Sequence, residues 1–203
     1  MFPLSSVVFP HQRVPLHVFE SRYRQLVDDV QANDGRFGIC LIAGGSEVGG
    51  GDVRVDIGTV VHLEAVFPFS DGRSMLVVDG QERIRVVQWL SDDPYPRAIV
   101  ETMVTDEVPN DPALLRSTEA AVRSLRNLHS EMHPDSCVEM DCAMSEQTCV
   151  RAWQLCALTP AATLDQLKLL KAVSCDARLR TLGEICCERY SDLMRQLSPE
   201  ANA

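Results

Sequence analysis

At 203 residues, 45% of them hydrophobic and 24% charged, the chain can bury a substantial apolar core as one large domain or two small ones. Its net charge of -10, from 29 acidic and 19 basic residues, opposes wrapping a phosphate backbone, so no nucleic acid is expected as a partner. No apolar run approaches the roughly 18 residues of a membrane helix, and the start MFPLSSVVFPHQ lacks the basic and apolar segments of a secretory signal, which predicts a cytoplasmic protein with no membrane contact.

Prolines at 3, 10 and 15 punctuate the start. They predict a strand over 4–9 and a loop over PHQRVPL, whose ends are set by proline geometry. In FESRYRQLVDDV the apolar residues Phe19, Tyr23, Leu26, Val27 and Val30 recur at helical spacing, and Asn33-Asp34-Gly35 supplies the stop. Glu20 and Arg24 stand four apart in the favourable order, a pair worth about 0.2 to 0.5 kcal/mol if exposed. A buried Tyr23 needs a partner for its hydroxyl, and Arg22 or Arg24 can hold the N-terminal loop by donating to carbonyls. The cluster contains no nucleophile with an adjacent base, so it is read as a fastening between the first helix and the sheet.

From residue 36 to about 104 the pattern is that of short strands: RFGICLIAG, the alternating VRVDI, VVHLEAVFPF, SMLVVDG, ERIRVVQWL and RAIVETMVT. Asp71-Gly72 suits a hairpin turn, and GGSEVGGG reads as a hairpin tip, since no helix follows it to make a phosphate site. Connections this short leave no room for crossover helices, so the sheet is expected to be antiparallel and barrel-like.

Beyond TDEVPNDP the period becomes 3.6 residues. Four helices are predicted, in ALLRSTEAAVRSLRNLHSEM, SEQTCVRAWQLCAL, TLDQLKLLKAV and SCDARLRTLGEICCERYSDLMRQL, the last with Ser174 as its N-cap. The expected architecture is α+β: an N-terminal barrel-like domain over residues 1–108 with one early helix, then a bundle of about four helices over 109–203.

Only Lys168 and Lys171 are lysines, and neither follows a glycine loop, so no G-x-x-x-x-G-K-[ST] phosphate loop exists; G-x-S-x-G and H-E-x-x-H are also missing from the sequence. The eight cysteines contain no C-x-x-C, and most are expected to be small buried apolar residues. Cys142, Cys149 and Cys156, seven apart, would share a helix face about 10 Å apart along the axis, too far to bridge. A His2Cys2 zinc site can be drawn from His129, His133, Cys137 and Cys142, but Pro134 ends the helix and the spacing fits no standard pattern, so neither metal nor cofactor is expected. Asp92, Asp93, Asp106, Glu107 and Asp111 flank the last strand and offer either an acidic face for a basic partner or ordinary solubility. Phe67 and Phe69 alternate beside a turn, and form a partner-binding patch if exposed or core if buried.

Together, FPLSSVVFPHQRVPLHVFESRYRQLVDDV, FGICLI, VGGGDVRVDIGTVVHLEAV, DGRSMLVVDGQERIRVV and YPRAIVE resemble the N-terminal substrate-binding domain of the ATP-dependent protease Lon, a domain also found as stand-alone proteins and within cereblon. The helical part is similar in placement. The resemblance implies a PUA-like pseudo-barrel followed by a helical bundle. It places Pro15, Leu16, Phe19, Glu20, Arg22 and Tyr23 in the structural motif after the first strand, and Gly80, Glu82 and Arg83 in a G-x-x-R turn before a barrel strand. None of these is catalytic in the family. The chain ends before an ATPase or serine-lysine protease domain could begin, so proteolysis is not carried over and no enzyme is expected. The expected function is non-catalytic recognition of protein or unfolded peptide segments in protein quality control, with protease or chaperone components as candidate partners. The alternatives are RNA binding, as in other PUA-like proteins, and a small-molecule or cryptic enzyme site at the junction of barrel and bundle.

Overall fold

Proline placement shapes the first hundred residues of the structure, a computed structural model that describes residues 1–45, 51–104, 108–134 and 143–197. Strand β1 (Phe2–Leu4) is only three residues long and runs parallel to β3 (Arg36–Gly44). Strand β2 (Arg13–Val18) pairs antiparallel with β5 (Ser74–Leu90), Pro15 opposite Val77. The strand expected over 4–9 and the loop over 10–16 are thus displaced in both directions. Pro15 is tolerated because β2 is an edge strand: Gly80 donates to the Gln12 carbonyl at 2.9 Å, so alternation along the ladder turns residues 13, 15 and 17 outward, where a missing N–H costs nothing.

Helix α1 (Ser21–Ala32) buries Tyr23, Leu26, Val27 and Val30 against the sheet. They join Phe2, Leu16, Val18, Phe37, Ile39, Val61, Leu76 and Val78 in one core, each large side chain contributing about 1.5–3 kcal/mol of burial. The helix closes where Gly35 donates to the Val30 carbonyl at 3.1 Å.

Strands β4 (Val53–Pro68) and β5 are single continuous strands of 16 and 17 residues where the sequence suggested pairs of shorter ones. Register shifts between Thr59 and Val61, Leu63 and Ala65, and Val86 and Gln88 explain the difference. Each is a bulge that interrupts the alternation of side chains while letting the strand bend and continue. Gly80 lies within β5 and not in a turn before a strand, correcting the position expected for the G-x-x-R motif. A Cβ there would stand 2.1 Å from the Phe9 carbonyl oxygen, so glycine is what lets the 5–12 segment cross the strand.

The sheet does not close, and the expected PUA-like pseudo-barrel is corrected to an open sheet. Its path runs β1-β3-β4-β5-β2, with β6 (Arg97–Thr102) beside the other half of β5. Near the seam, the Met1 nitrogen donates to the Pro96 carbonyl at 2.7 Å, but among the described residues no ladder follows. Closure would need a run of paired residues, and here β1 has three residues, one of them Pro3, while β6 begins after Pro94-Tyr95-Pro96.

Arg54 clamps this unit internally. It donates to Asp52 at 2.7 and 3.3 Å and to Asp92 at 2.9 and 2.6 Å, with its guanidinium 5.1 Å from the Trp89 ring centroid. The Arg54 and Asp52 side chains are 11% and 2% exposed. In the alternating VRVDI it is Arg54 that turns inward, while Val53 is 63% exposed.

The contacts group the chain into Met1–Val104 and Thr105–Ala203. In the second unit α2 (Pro112–Met132), α3 (Thr148–Leu158), α4 (Thr163–Lys171) and α5 (Cys175–Leu197) form the expected four helices, so the class is α+β. Asp111 caps α2 by accepting from the Ala113 N–H at 2.8 Å, and the Ser174 hydroxyl oxygen accepts from the Ala177 N–H at 3.1 Å. Thr118 donates to the Leu179 carbonyl at 3.2 Å, among buried Leu115, Val122, Leu125, Leu179 and Leu182. The buried Arg178 guanidinium lies 3.4 Å from the Trp153 ring centroid, tying α5 to α3 by a desolvated cation–π contact.

Candidate functional site

The β4–β5 turn gathers exposed apolar side chains at one end of the sheet. Ser74 pairs with Val18 on one side and with Pro68 on the other, so Phe19 and Phe69, the next residues of those two chains, emerge at the same margin. The strand spacing puts them on the order of 10 Å apart in backbone position. One row further in, Met75 stands between His17 and Phe67. Phe19, Phe67 and Phe69 are 46%, 49% and 45% exposed. Beside them a depression of about 380 Å³ is lined by His17, Val18, Phe19, Phe69, Arg73 and Ser74.

The turn is locally fixed. Phe69 donates to the Arg73 carbonyl at 2.8 Å and Gly72 to the Phe69 carbonyl at 3.1 Å, with Gly72 at φ 82, a conformation glycine adopts without strain. Asp71 accepts from the Arg73 N–H at 3.0 Å and from its guanidinium at 2.7 Å; these bonds, the backbone one first, hold its carboxyl below the usual range. Arg24 donates to the Phe19 carbonyl at 2.9 Å and lies against Gly72, spanning from α1 to the turn. The aromatic side chains therefore sit on a backbone held by the fold, as a recognition surface requires.

Phe19 was expected on the buried face of the first helix. It precedes the helix, which starts at Ser21 with Glu20 in extended conformation at its N-cap. No strong capping signal marks this boundary, since Glu20 makes no side-chain cap bond. The same boundary corrects the expected Glu20–Arg24 pair: Glu20 is not inside the helix, and it accepts from Arg22 at 3.2 and 3.3 Å with both side chains largely buried. The Arg22 guanidinium lies 4.5 Å from the Tyr23 ring centroid, and Tyr23 is 4.4 Å from the Phe2 ring centroid. Burial, foremost, pushes the Tyr23 hydroxyl up to about 12. Tyr23 is buried and Glu20 and Arg22 largely so, while Pro15 is exposed on β2, alternating with buried Leu16 and Val18 as His17 and Phe19 do.

A second concavity of about 840 Å³ opens between α1 and β6, with Asp29, Asn33, Arg36, Tyr95, Arg97 and Val100 in its lining. Tyr95 donates to Asp29 at 2.6 Å, a bond that leads in lowering the Asp29 carboxyl.

Among the described residues no three His, Cys, Asp or Glu side chains are arranged to hold a metal ion. The rings of His129 and His133 are 4.7 Å apart, while Cys137 and Cys142 lie outside the described residues, as do Asp106, Glu107 and residues 46–50 of the glycine-rich stretch. Asp92 is engaged by Arg54 and Asp111 caps α2, so these two acids serve local structure. Of the cysteines described, Cys40, Cys156, Cys175 and Cys186 are buried, Cys149 is half-buried and Cys187 exposed. No helix among the described residues is long and apolar enough to cross a membrane.

Residues 1–188 match the family of the ATP-dependent protease La (LON) substrate-binding domain. The chain is 24% identical over 195 residues to Lon protease 2 of Herpetosiphon aurantiacus, a match covering 94% of this chain and 23% of that protein. The crystal structure of a Lon N-terminal domain protein from Xanthomonas campestris superimposes with a TM-score of 0.61 and 28% identity, covering 89% of this chain and 94% of that one. The N-terminal domain of a Mycobacterium avium complex Lon protease shares the fold at a TM-score of 0.61 and 17% identity, over 94% of this chain and 97% of its own. The chain spans less than a quarter of the length of the curated Lon proteases it matches. The part of those proteins that it matches is the substrate-binding domain, and the chain belongs to the LON substrate-binding domain family.

Proposed function

We propose that the chain captures extended, apolar segments of unfolded proteins on the surface formed by Phe19, Phe67 and Phe69, and presents them to protease or chaperone components. The observation that carries this reading is the trio of phenylalanines, each about half exposed, at the margin of a hydrogen-bonded turn, with Phe19 and Phe69 lining a depression there. Large apolar side chains grouped in this way at one margin are the kind of patch that marks a protein-binding surface, and aromatic anchors supply most of the energy in such interfaces. Family membership supports the substrate class, since substrate binding is what the matched domain is named for.

The test is calorimetric titration with a reduced and alkylated, permanently unfolded protein, comparing the wild type with the triple variant Phe19→Ser, Phe67→Ser, Phe69→Ser. Half-exposed positions lower the melting temperature without unfolding the chain, and binding of the folded fraction is expected to weaken by at least about tenfold, the loss of a single hot-spot contact. A folded triple variant that binds as the wild type does would remove the patch from the function.

A further inference from the structure

The outer edge of β6 carries a pattern complementary to itself. Among the described residues β6 pairs with β5 alone. Met103 donates to the Arg83 carbonyl at 2.9 Å, so alternation along the ladder turns the backbone groups of residues 101, 99 and 97 toward β5 and those of 102, 100 and 98 outward. The register shift between Val86 and Gln88 puts the extra residue on β5, so β6 keeps its alternation throughout. The strand has no proline, lysine or bulge of the kind that protects a free edge, and Ile99 and Val100 are 50% and 38% exposed, with Val87 and Leu90 exposed beside them.

We infer that two copies of the chain associate by antiparallel pairing of their β6 strands about a two-fold axis at Ile99, continuing the sheet from one copy into the other. The inference stands independently of the aromatic patch. In that register Ile99 meets its counterpart in a non-hydrogen-bonded pair, where side chains come closest. Ala98 and Val100 exchange backbone hydrogen bonds with Val100 and Ala98 of the other copy. Arg97 stands opposite Glu101, and Glu101 opposite Arg97, on the same face as Ile99. Glu101 already accepts from Arg85 of its own sheet at 3.1 Å, so it comes to lie between two arginines across three adjacent strands. A shift of register by one residue removes the opposition of unlike charges. Six strand residues are few beside the roughly 20–30 a side of a standard interface, so the association belongs in the micromolar-to-millimolar range.

Sedimentation equilibrium of the full chain over that range tests it. The wild type is expected to dimerise. Arg97→Glu and Glu101→Arg, each placing like charges opposite one another twice, are expected to weaken the dimer at least about tenfold. An equimolar mixture of these two variants restores association, because every opposed pair is then unlike. Val100→Pro removes an outward N–H that β5 does not use and is expected to be monomeric with a nearly unchanged melting temperature. A wild type that stays monomeric throughout, or a dimer indifferent to both charge variants and to Val100→Pro, overturns the inference. So does a dimer that the charge variants abolish but their mixture does not restore.

Discussion

Replacing Arg54 with methionine keeps much of the side chain's bulk and removes its charge and five donors. The Asp52 carboxylate is then left 2% exposed without the guanidinium that binds both its oxygens, and the loss of one partner from a buried pair costs about 3–5 kcal/mol. Asp92 is 36% exposed, so water replaces most of what it loses and it adds at most about 1 kcal/mol. The pH dependence is a second, independent reading. Burial works against charge on Asp52, but its bonds to Arg54 prevail; on Asp92 the Arg54 bond leads, and both carboxyls end below the usual 3.8. Groups with depressed folded values stabilise fully above the unfolded value, and the contribution fades as pH falls through the folded ones. Urea unfolding of wild type and variant, from neutral pH down to about pH 3, should therefore show a gap of several kcal/mol that narrows in acid. A gap below about 1 kcal/mol at neutral pH, or one constant down to acid, would refute the clamp as a source of stability.

Tyr23→Ala, at a position 4% exposed between Phe2 and Arg22, should cost about 3–5 kcal/mol in denaturant unfolding and leave binding to unfolded protein intact once the unfolded fraction is discounted. Glu20→Ala breaks a largely buried charge-assisted pair with Arg22 and should cost about 1.5–3 kcal/mol, more than a surface pair would. Gly80→Ala drives a methyl group into the Phe9 carbonyl, and with backbone on both sides the loss should be about 1–3 kcal/mol or more, read as a lowered melting temperature. Alkylation of the reduced native protein should modify Cys187 first among the described cysteines, while Cys40, Cys156, Cys175 and Cys186 resist until unfolding; burial pushes the thiols of Cys40 and Cys156 up to about 12 and that of Cys186 to about 11.

Local chemistry was the legible part of this fold. Asp71-Gly72 announces its hairpin, the apolar spacing of Tyr23, Leu26, Val27 and Val30 announces the buried face of α1, and Ser174 announces the start of α5, because each depends on residues within a turn or two. Family membership was readable from the order and spacing of motifs along the first hundred residues. What stayed hidden depends on partners far along the chain. Bulges in β4 and β5 scrambled the alternation and made two long strands look like four short ones. Whether a sheet closes is decided by its terminal strands meeting, and the prolines near β1 and β6 bear on closure only once the topology has put those strands at the seam. Arg54 shows the same limit: its strand alternates as an exposed arginine's would, and the clamp that turns it inward is completed by Trp89 and by Asp92, 38 residues away, as well as by nearby Asp52. Of the candidate site, Phe67 and Phe69 were singled out, but the choice between patch and core required the exposure of both, and Phe19 joined them only because the helix begins two residues later than its apolar period suggests.

Strand β5 pairs with β4 from Ser74 to Arg85, and on its other side with β2 from Ser74 to Asp79 and with β6 from Ile84 to Leu90. From Ser74 to Asp79 it is thus flanked on both sides, whereas β1 is held by three residue pairs and β6 by one neighbour. Opening of this unit should proceed from the rim inward, with exchange at β1 and β6 reporting fraying of the margin alone. Solvent deuterium should reach this doubly flanked stretch of β5 only when the whole unit comes apart, so a few slow amides at Leu76, Val77 and Val78, which are paired on both sides, would measure the global free energy of the first unit in a single experiment.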